Sequence, residues 1–259
     1  MTSFIPSTQR AAVLRGAYGE LHSVENDYPV TSPGQNEVLV KLEAAGICAG
    51  DVQPRDGSPP APKVAIRPLV AGHEGIGSIV SLGSSVTNFQ VGDRVGTGWR
   101  RSTCHACGQC KTGNDNLCQA AVVNGYSKDG TFQEYIVLPA SNLIRIPPSV
   151  RPASELAPLL CAGGTALAAV RAANILRGEW LCVTGAAGGV GSLAIQYAKH
   201  LGYHVIAVDS VTKRERCEDF GAVFIDYEDS ESLVQRVKAV SRDAVRATLV
   251  CSPSAQSYT

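Results

Sequence analysis

Four cysteines stand close together in the segment CHACGQCKTGNDNLC: Cys104, Cys107, Cys110 and Cys118. Thiolates at this spacing, separated by glycine and polar residues, can close a tetrahedron around zinc. With cysteine at all four positions no coordination site remains for water or substrate, so such a centre is structural. The plainer alternative is a set of free or disulfide-bonded cysteines. A second group is dispersed: Cys48 in GICAGD, His73 and Glu74 in AGHEG, and Cys161 in LLCAGG. Two thiolates and one imidazole would leave a fourth position open, as a catalytic zinc requires. Sequence separation gives no ground for grouping them. Taken singly, His73 reads as a packed histidine and Cys161 as a buried apolar filler.

A third signal is the turn GAAGGVG, with Gly185, Gly188, Gly189, Val190 and Gly191, placed after a strand pattern and opening a helix pattern. Glycines let a backbone approach a pyrophosphate, and a helix N-terminus offers free N–H groups and the positive end of its dipole. Asp209 follows at the end of the next strand pattern, where an acid can accept from ribose hydroxyls. That charge would repel a 2′-phosphate, so NAD is expected over NADP; Lys213 and Arg214 nearby keep NADP as the lesser possibility. The alternative is a plain strand–helix turn with a solvated aspartate.

The elements that must position these residues fall into two kinds. The first half is rich in β-formers broken by Gly and Pro, as in EVLVKLEAAG and GTFQEYIVLPASNLIRIPP, and predicts a small barrel-like β domain. From Ser154 the run ELAPLLCAGGTALAAVRAAN is helix-like. Strands then alternate with helices: WLCV, YHVIAV, AVFI and ATLVC against helical stretches at 190–200, 212–220 and 230–240. Such alternation predicts a parallel, doubly wound sheet. Domains are therefore expected over 1–153, with a metal lobe at about 99–120, and over 154–259.

The 259 residues, 44% of them hydrophobic, suffice for two buried cores. Twenty-three basic and 23 acidic side chains cancel, with no long run of either sign, so neither nucleic acid nor an anionic membrane is called for. The amino-terminal MTSFIPSTQR lacks a signal-peptide core, and no apolar run approaches the ~20 residues that span a bilayer. A cytoplasmic location is expected. Nine cysteines in that setting point to metal or catalysis, and an odd number cannot all pair as disulfides.

The ordered series GIC…D, PLVAGHEG, VGDRVG, CxxCxxCxxxxxxxC, GYSKDGTFQEY, LCAGGTA and GAAGGVGSLAIQYAKHLGY resembles the zinc-dependent alcohol dehydrogenases of the medium-chain dehydrogenase/reductase superfamily. It is most similar to their microbial tetrameric branch, from about Glu37 to Cys251. The resemblance implies an α/β protein, a GroES-like catalytic domain followed by a Rossmann domain. Hydride would pass between an alcohol or aldehyde and NAD(P), with zinc polarising the oxygen and two zinc ions held per chain. On it, Cys48, His73 and Cys161 match the catalytic zinc ligands, Glu74 an alternate ligand, and Asp51 the acid that orients the histidine. The four clustered cysteines match the structural zinc site. Gly185, Gly188, Gly189, Val190 and Gly191 match the dinucleotide turn, Asp209 and Lys213 the ribose contacts, and Trp99 a pocket aromatic.

Two departures stand out. Where family members carry a basic residue, then Ser or Thr, this chain has Ala49 and Gly50, and Gln53 occupies the place of a relay histidine. The phosphate contact and the proton-carrying groups are missing together, and the proline-rich stretch PRDGSPPAPKVAIRP lacks the aromatics of ethanol-type enzymes, which implies a differently shaped substrate site. The family sheet has six strands, whereas Thr259 follows the fourth; the chain is expected to be C-terminally truncated. A homo-oligomer is implied for a full-length chain, with no such expectation for this one. The altered loop and the early end favour a rival reading, a catalytically inactive paralogue that binds zinc and at most nucleotide. The complete ligand set favours the enzyme. A zinc-free quinone reductase on the same fold is disfavoured because both ligand sets are filled.

Overall fold

The computed structural model describes residues 4–57, 67–150, 152–229 and 232–252. Of the proline-rich stretch from Pro54 to Pro68, residues 58–66 lie outside them. Two compact units divide the chain, Met1–Cys161 and Ala162–Thr259. The helical turns Ala153–Leu156 and Ala157–Leu160 thus belong to the first unit.

The first unit is built on antiparallel sheets. In the largest, the strands run in the order Ile144–Arg145, Arg94–Thr97, Glu74–Leu82, Glu37–Gly46 and Tyr135–Pro139. Val38 and Val40, two apart and so on one face of their strand, pack with Ile79, Val95, Ile136 and Leu138. A smaller cluster of Leu14, Leu69, Ala71 and Tyr126, joined by Trp99, Val123 and Phe132, lies beyond it. Tyr28 donates to Asp129 Oδ2 (2.6 Å) while Val70 N–H donates to Asp129 Oδ1 (2.9 Å), tying the three-stranded sheet of Ser23–Pro29, Thr8–Leu14 and Leu69–Val70 to the following loop. Register matters most at one rung. Gly46 pairs with Glu74, so the chain leaves the first strand toward Cys48 beside the point where it enters the second from His73.

The second unit carries a four-stranded parallel sheet in the order Val223–Asp226, His204–Asp209, Trp180–Thr184 and Val245–Val250. The sheet and the helices Gly189–His200, Arg214–Asp219 and Leu233–Ser241 follow the alternation expected from sequence. In the Gly189–His200 helix the buried positions Gly191, Ala194, Ile195 and Ala198 recur at helical spacing, and small residues let it lie close on the sheet. Lys199 and His200 sit in its last turn, where positive charge meets the negative end of the dipole. No single helix among the described residues is long and apolar enough to cross a membrane. Ile195 is fully buried among Leu181, Val183 and Val205. Ile195→Ala is expected to lower stability by about 2–5 kcal/mol, read as a reduced urea midpoint; a loss well under that range would show that the helix does not rest on the sheet there.

Candidate active site and metal centres

Cys48 caps a short 3₁₀ turn, Ala49–Asp51, in extended backbone conformation. Its N–H donates to Asp51 Oδ2 (2.8 Å), and its Sγ accepts from Gly50 N–H (3.4 Å), so the turn is closed from both ends. The other oxygen of Asp51 lies 2.8 Å from His73 Nδ1. A carboxylate only accepts, so Nδ1 donates to it, and Nε2 is the ring atom left to ligate once its own proton is displaced. That Nε2 is buried and has no protein partner; nor does Glu74 Oε2. Cys161 arrives from a different direction. The helical run from Ala153 breaks at it (φ −125°, ψ −77°) before a new helix begins at Ala162, and its Sγ comes to 4.0 Å from that of Cys48.

Ligand atoms of Cys48, His73, Glu74 and Cys161 all lie within 4.8 Å of one another. Two thiolates on one tetrahedral zinc, each at about 2.3 Å, stand roughly 3.8 Å apart, close to the observed sulfur separation. The orphaned Nε2 and Oε2 are the second sign of fit, because buried polar atoms without partners are otherwise rare. Electrostatics agree. Hydrogen bonding with Cys161, and then the nearby His73 imidazole, lowers Cys48 to about 4. The same Cys48 contact, with burial, drives Cys161 upward. Burial pulls His73 down, but the Asp51 carboxylate and the negative charge of Cys48 outweigh it and leave it at about 9. Glu74 rises to about 7 through burial and the nearby Cys48 charge. Without a metal the cluster shares protons; a cation would displace them.

Trp99 meets the His73 ring edge-on, centroids 4.9 Å apart at 89°, and tilts toward Tyr126. Gly46 serves a packing need that its residue type alone did not reveal: a Cβ there would lie 2.0 Å from Glu74 Oε2.

The four-cysteine loop is a second cluster with every ligand atom within 4.8 Å of the others. Its sulfurs lie 3.9 Å (Cys104–Cys110), 3.5 Å (Cys107–Cys110) and 3.6 Å (Cys104–Cys118) apart, and all four cysteines are free. Backbone N–H groups of Ala106 and Cys107 help pull Cys104 down to about 6, whereas desolvation and the neighbouring thiols push Cys110 up to about 12.

In the second unit Gly185 adopts φ 62°, and a Cβ there would come within 3.0 Å of the Cys251 and Ser252 backbone. At Gly191 a Cβ would lie 2.4 Å from Gly185 O, so only glycine lets the helix start this close to the turn. Gly188 caps the Gly189–His200 helix, and both Gly188 and Gly189 are exposed. Asp209 Oδ2 accepts from Ala187 N–H of the turn (2.9 Å), and Oδ1 accepts from Ser210 N–H (2.8 Å) with Lys213 Nζ at 3.4 Å. The acid therefore shapes the turn as well as charging it, a link from Asp209 to Ala187 that sequence reasoning missed.

Residues 34–148 match the alcohol dehydrogenase GroES-like domain, and residues 189–259 match the zinc-binding dehydrogenase domain. The chain is 40% identical over 256 residues to an alcohol dehydrogenase of Schizosaccharomyces pombe, covering 98% of this chain and 72% of that protein. Among solved structures it is similar to an NAD-dependent alcohol dehydrogenase (33% identity, TM-score 0.78, covering 90% of this chain and 67% of that one). It is also similar to the cobalt- and zinc-bound thermostable alcohol dehydrogenase of Pyrobaculum aerophilum (28% identity, TM-score 0.80, 96% and 71% covered).

Metal analysis of the purified chain is expected to find two zinc equivalents. Cys110→Ser should remove one and lower the thermal midpoint, and His73→Ala should remove the other. Retention of both ions in either variant would show that these clusters are not the binding sites.

Proposed function

Because this chain belongs to the zinc-binding alcohol dehydrogenase family, we propose that it transfers a hydride between a primary or secondary alcohol and NAD, with NADP the weaker cofactor. The observation that carries this is the buried His73 Nε2, turned toward the cluster by the Asp51 contact at Nδ1 and left without a protein partner within 4.8 Å of two cysteine sulfurs. Cys48, His73 and Cys161 would hold the catalytic zinc, with Glu74 as an alternate ligand. Cys104, Cys107, Cys110 and Cys118 would hold the structural ion. When bound, the zinc supplies a Lewis acid for the alcohol oxygen and the nicotinamide a hydride acceptor.

The chain's own residues do the rest. Asp51 fixes the imidazole and the Cys48 turn with one carboxylate, so the ligand set keeps its spacing through the reaction. Trp99 walls the space beside His73 with an apolar ring. Ala49 brings no charge to the cofactor phosphates. Gly50 has no hydroxyl and Gln53 does not titrate, so the hydroxyl proton leaves through water. Loss of one such proton-carrying group typically costs about 10²- to 10⁴-fold in rate, and a slow enzyme is expected. In the second unit the Gly185–Gly191 turn would take the pyrophosphate, while Asp209 and Lys213 would hold the adenosine ribose.

Zinc-loaded chain should reduce NAD when given short primary or secondary alcohols, and chelation should abolish this. Two bound zinc ions and bound nucleotide with no turnover on any alcohol would replace this reading with that of an inactive paralogue. Cofactor choice has its own test. Asp209→Asn keeps an acceptor for Ala187 N–H but removes the charge, and should shift the ratio of NADP to NAD affinity toward NADP by roughly tenfold. An unchanged ratio would show that Asp209 does not face the ribose.

A further inference from the structure

Several glycines of the first unit are glycine because nothing else fits. A Cβ at Gly77 would lie 2.1 Å from Lys41 O, and one at Gly130 only 1.8 Å from Gly72 O. Gly50 is different. Its φ is outside the left-handed region, and a Cβ there would meet His73 Cε1 at 3.4 Å, Cys48 Sγ at 3.7 Å and Trp99 Cζ3 at 3.9 Å. All three are ordinary contact distances. Neither the backbone nor the packing requires glycine at this position, yet the missing side chain leaves a methyl-sized space against two of the proposed metal ligands and the aromatic wall.

The lining of that space decides what it can hold. The atoms facing it are a ring carbon of His73, a soft sulfur and the edge of an indole, none of them a hydrogen-bond donor. An apolar group is favoured there and a polar one is not. The carbinol carbon of a primary alcohol carries one carbon branch, whereas that of a secondary alcohol carries two. A site that takes both branches needs apolar room on two sides of the ligand cluster.

We propose that Gly50 sets substrate specificity, by accepting the second carbon branch of a secondary alcohol or of the corresponding ketone. This rests on the dehydrogenase reading above. In the oxidation, the carbinol C–H bond breaks and its hydrogen leaves with the electron pair to oxidised NAD. The O–H bond breaks, its proton passes to water, and the carbon–oxygen double bond of the ketone forms.

Butan-2-ol and butan-1-ol are compared on the zinc-loaded full chain and on Gly50→Ala, whose added methyl fills the space. The ratio of kcat/KM for butan-2-ol over butan-1-ol is expected to fall about tenfold or more in the variant, the usual scale for one methyl group in a fitted pocket. Ligand-observed NMR titration without cofactor, where no turnover can occur, should show butan-2-ol binding weakened relative to butan-1-ol. An unchanged or increased kcat/KM ratio overturns the proposal, as does an unshifted binding ratio. Absence of turnover on both alcohols together with a shifted binding ratio would overturn the dehydrogenase reading while supporting the room at Gly50. Should Gly50→Ala lose its zinc, Trp99→Leu widens the same space from the opposite wall and should raise the binding of pentan-3-ol relative to butan-2-ol; no rise overturns the proposal.

Discussion

The arrangement of the first unit's reactive groups depends on one buried carboxylate. Asp51 receives the Cys48 N–H on one oxygen and the His73 imidazole on the other, both at 2.8 Å. Charge-assisted bonds of this kind are stronger than neutral ones, and burial raises their worth further. They join a turn that follows one strand to a residue that precedes another, so two elements with no covalent neighbourhood share a fixed geometry. The Gly46–Glu74 rung places the two chain segments side by side, and Asp51 then sets the angle at which sulfur and imidazole face one another. Neutralising this acid would free the ring to turn and would release the turn that presents Cys48.

The two sulfur-rich clusters show how similar residues yield different chemistry. In the four-cysteine loop every ligand comes from one short segment, and four thiolates saturate a tetrahedral ion. The other cluster mixes two sulfurs, a nitrogen and a carboxylate oxygen, with an aromatic wall beside them. Carboxylate and imidazole there lack partners on the atoms that face the cluster, which is unfavourable for the metal-free protein and becomes binding free energy when an ion arrives.

Local signals made part of this legible from sequence. The Cys104–Cys118 spacing, the glycine-rich turn and the alternation from Trp180 onward each depend on residues near in sequence, and the strands and helices of the second unit follow that reading closely. Cys48 and Cys161 are 113 residues apart, and no periodicity links them; only the order of motifs shared with a known family suggested their meeting. The alanine-rich run after Ser154 read as helix-like; it is helical on both sides of Cys161 but breaks at that residue, in a stretch whose Pro158, Gly163 and Gly164 weaken helix propensity. Gly50 read as a missing hydroxyl. Its space became visible only once Trp99, 49 positions later, was seen beside it.

The difference in loop length also orders the assembly of the molecule. Bringing Cys104 and Cys118 together closes a separation of 14 residues, and Cys48 with Cys161 one of 113. Chain-closure entropy alone separates the two by roughly 2 kcal/mol, since the cost grows with the logarithm of length. The short loop can gather its thiolates as soon as its own segment has left the ribosome. The larger ring cannot close until the whole first unit has been made and its strands have paired. One centre is thus available to nucleate the fold, and the other is completed only once the last residue of the first unit has been made.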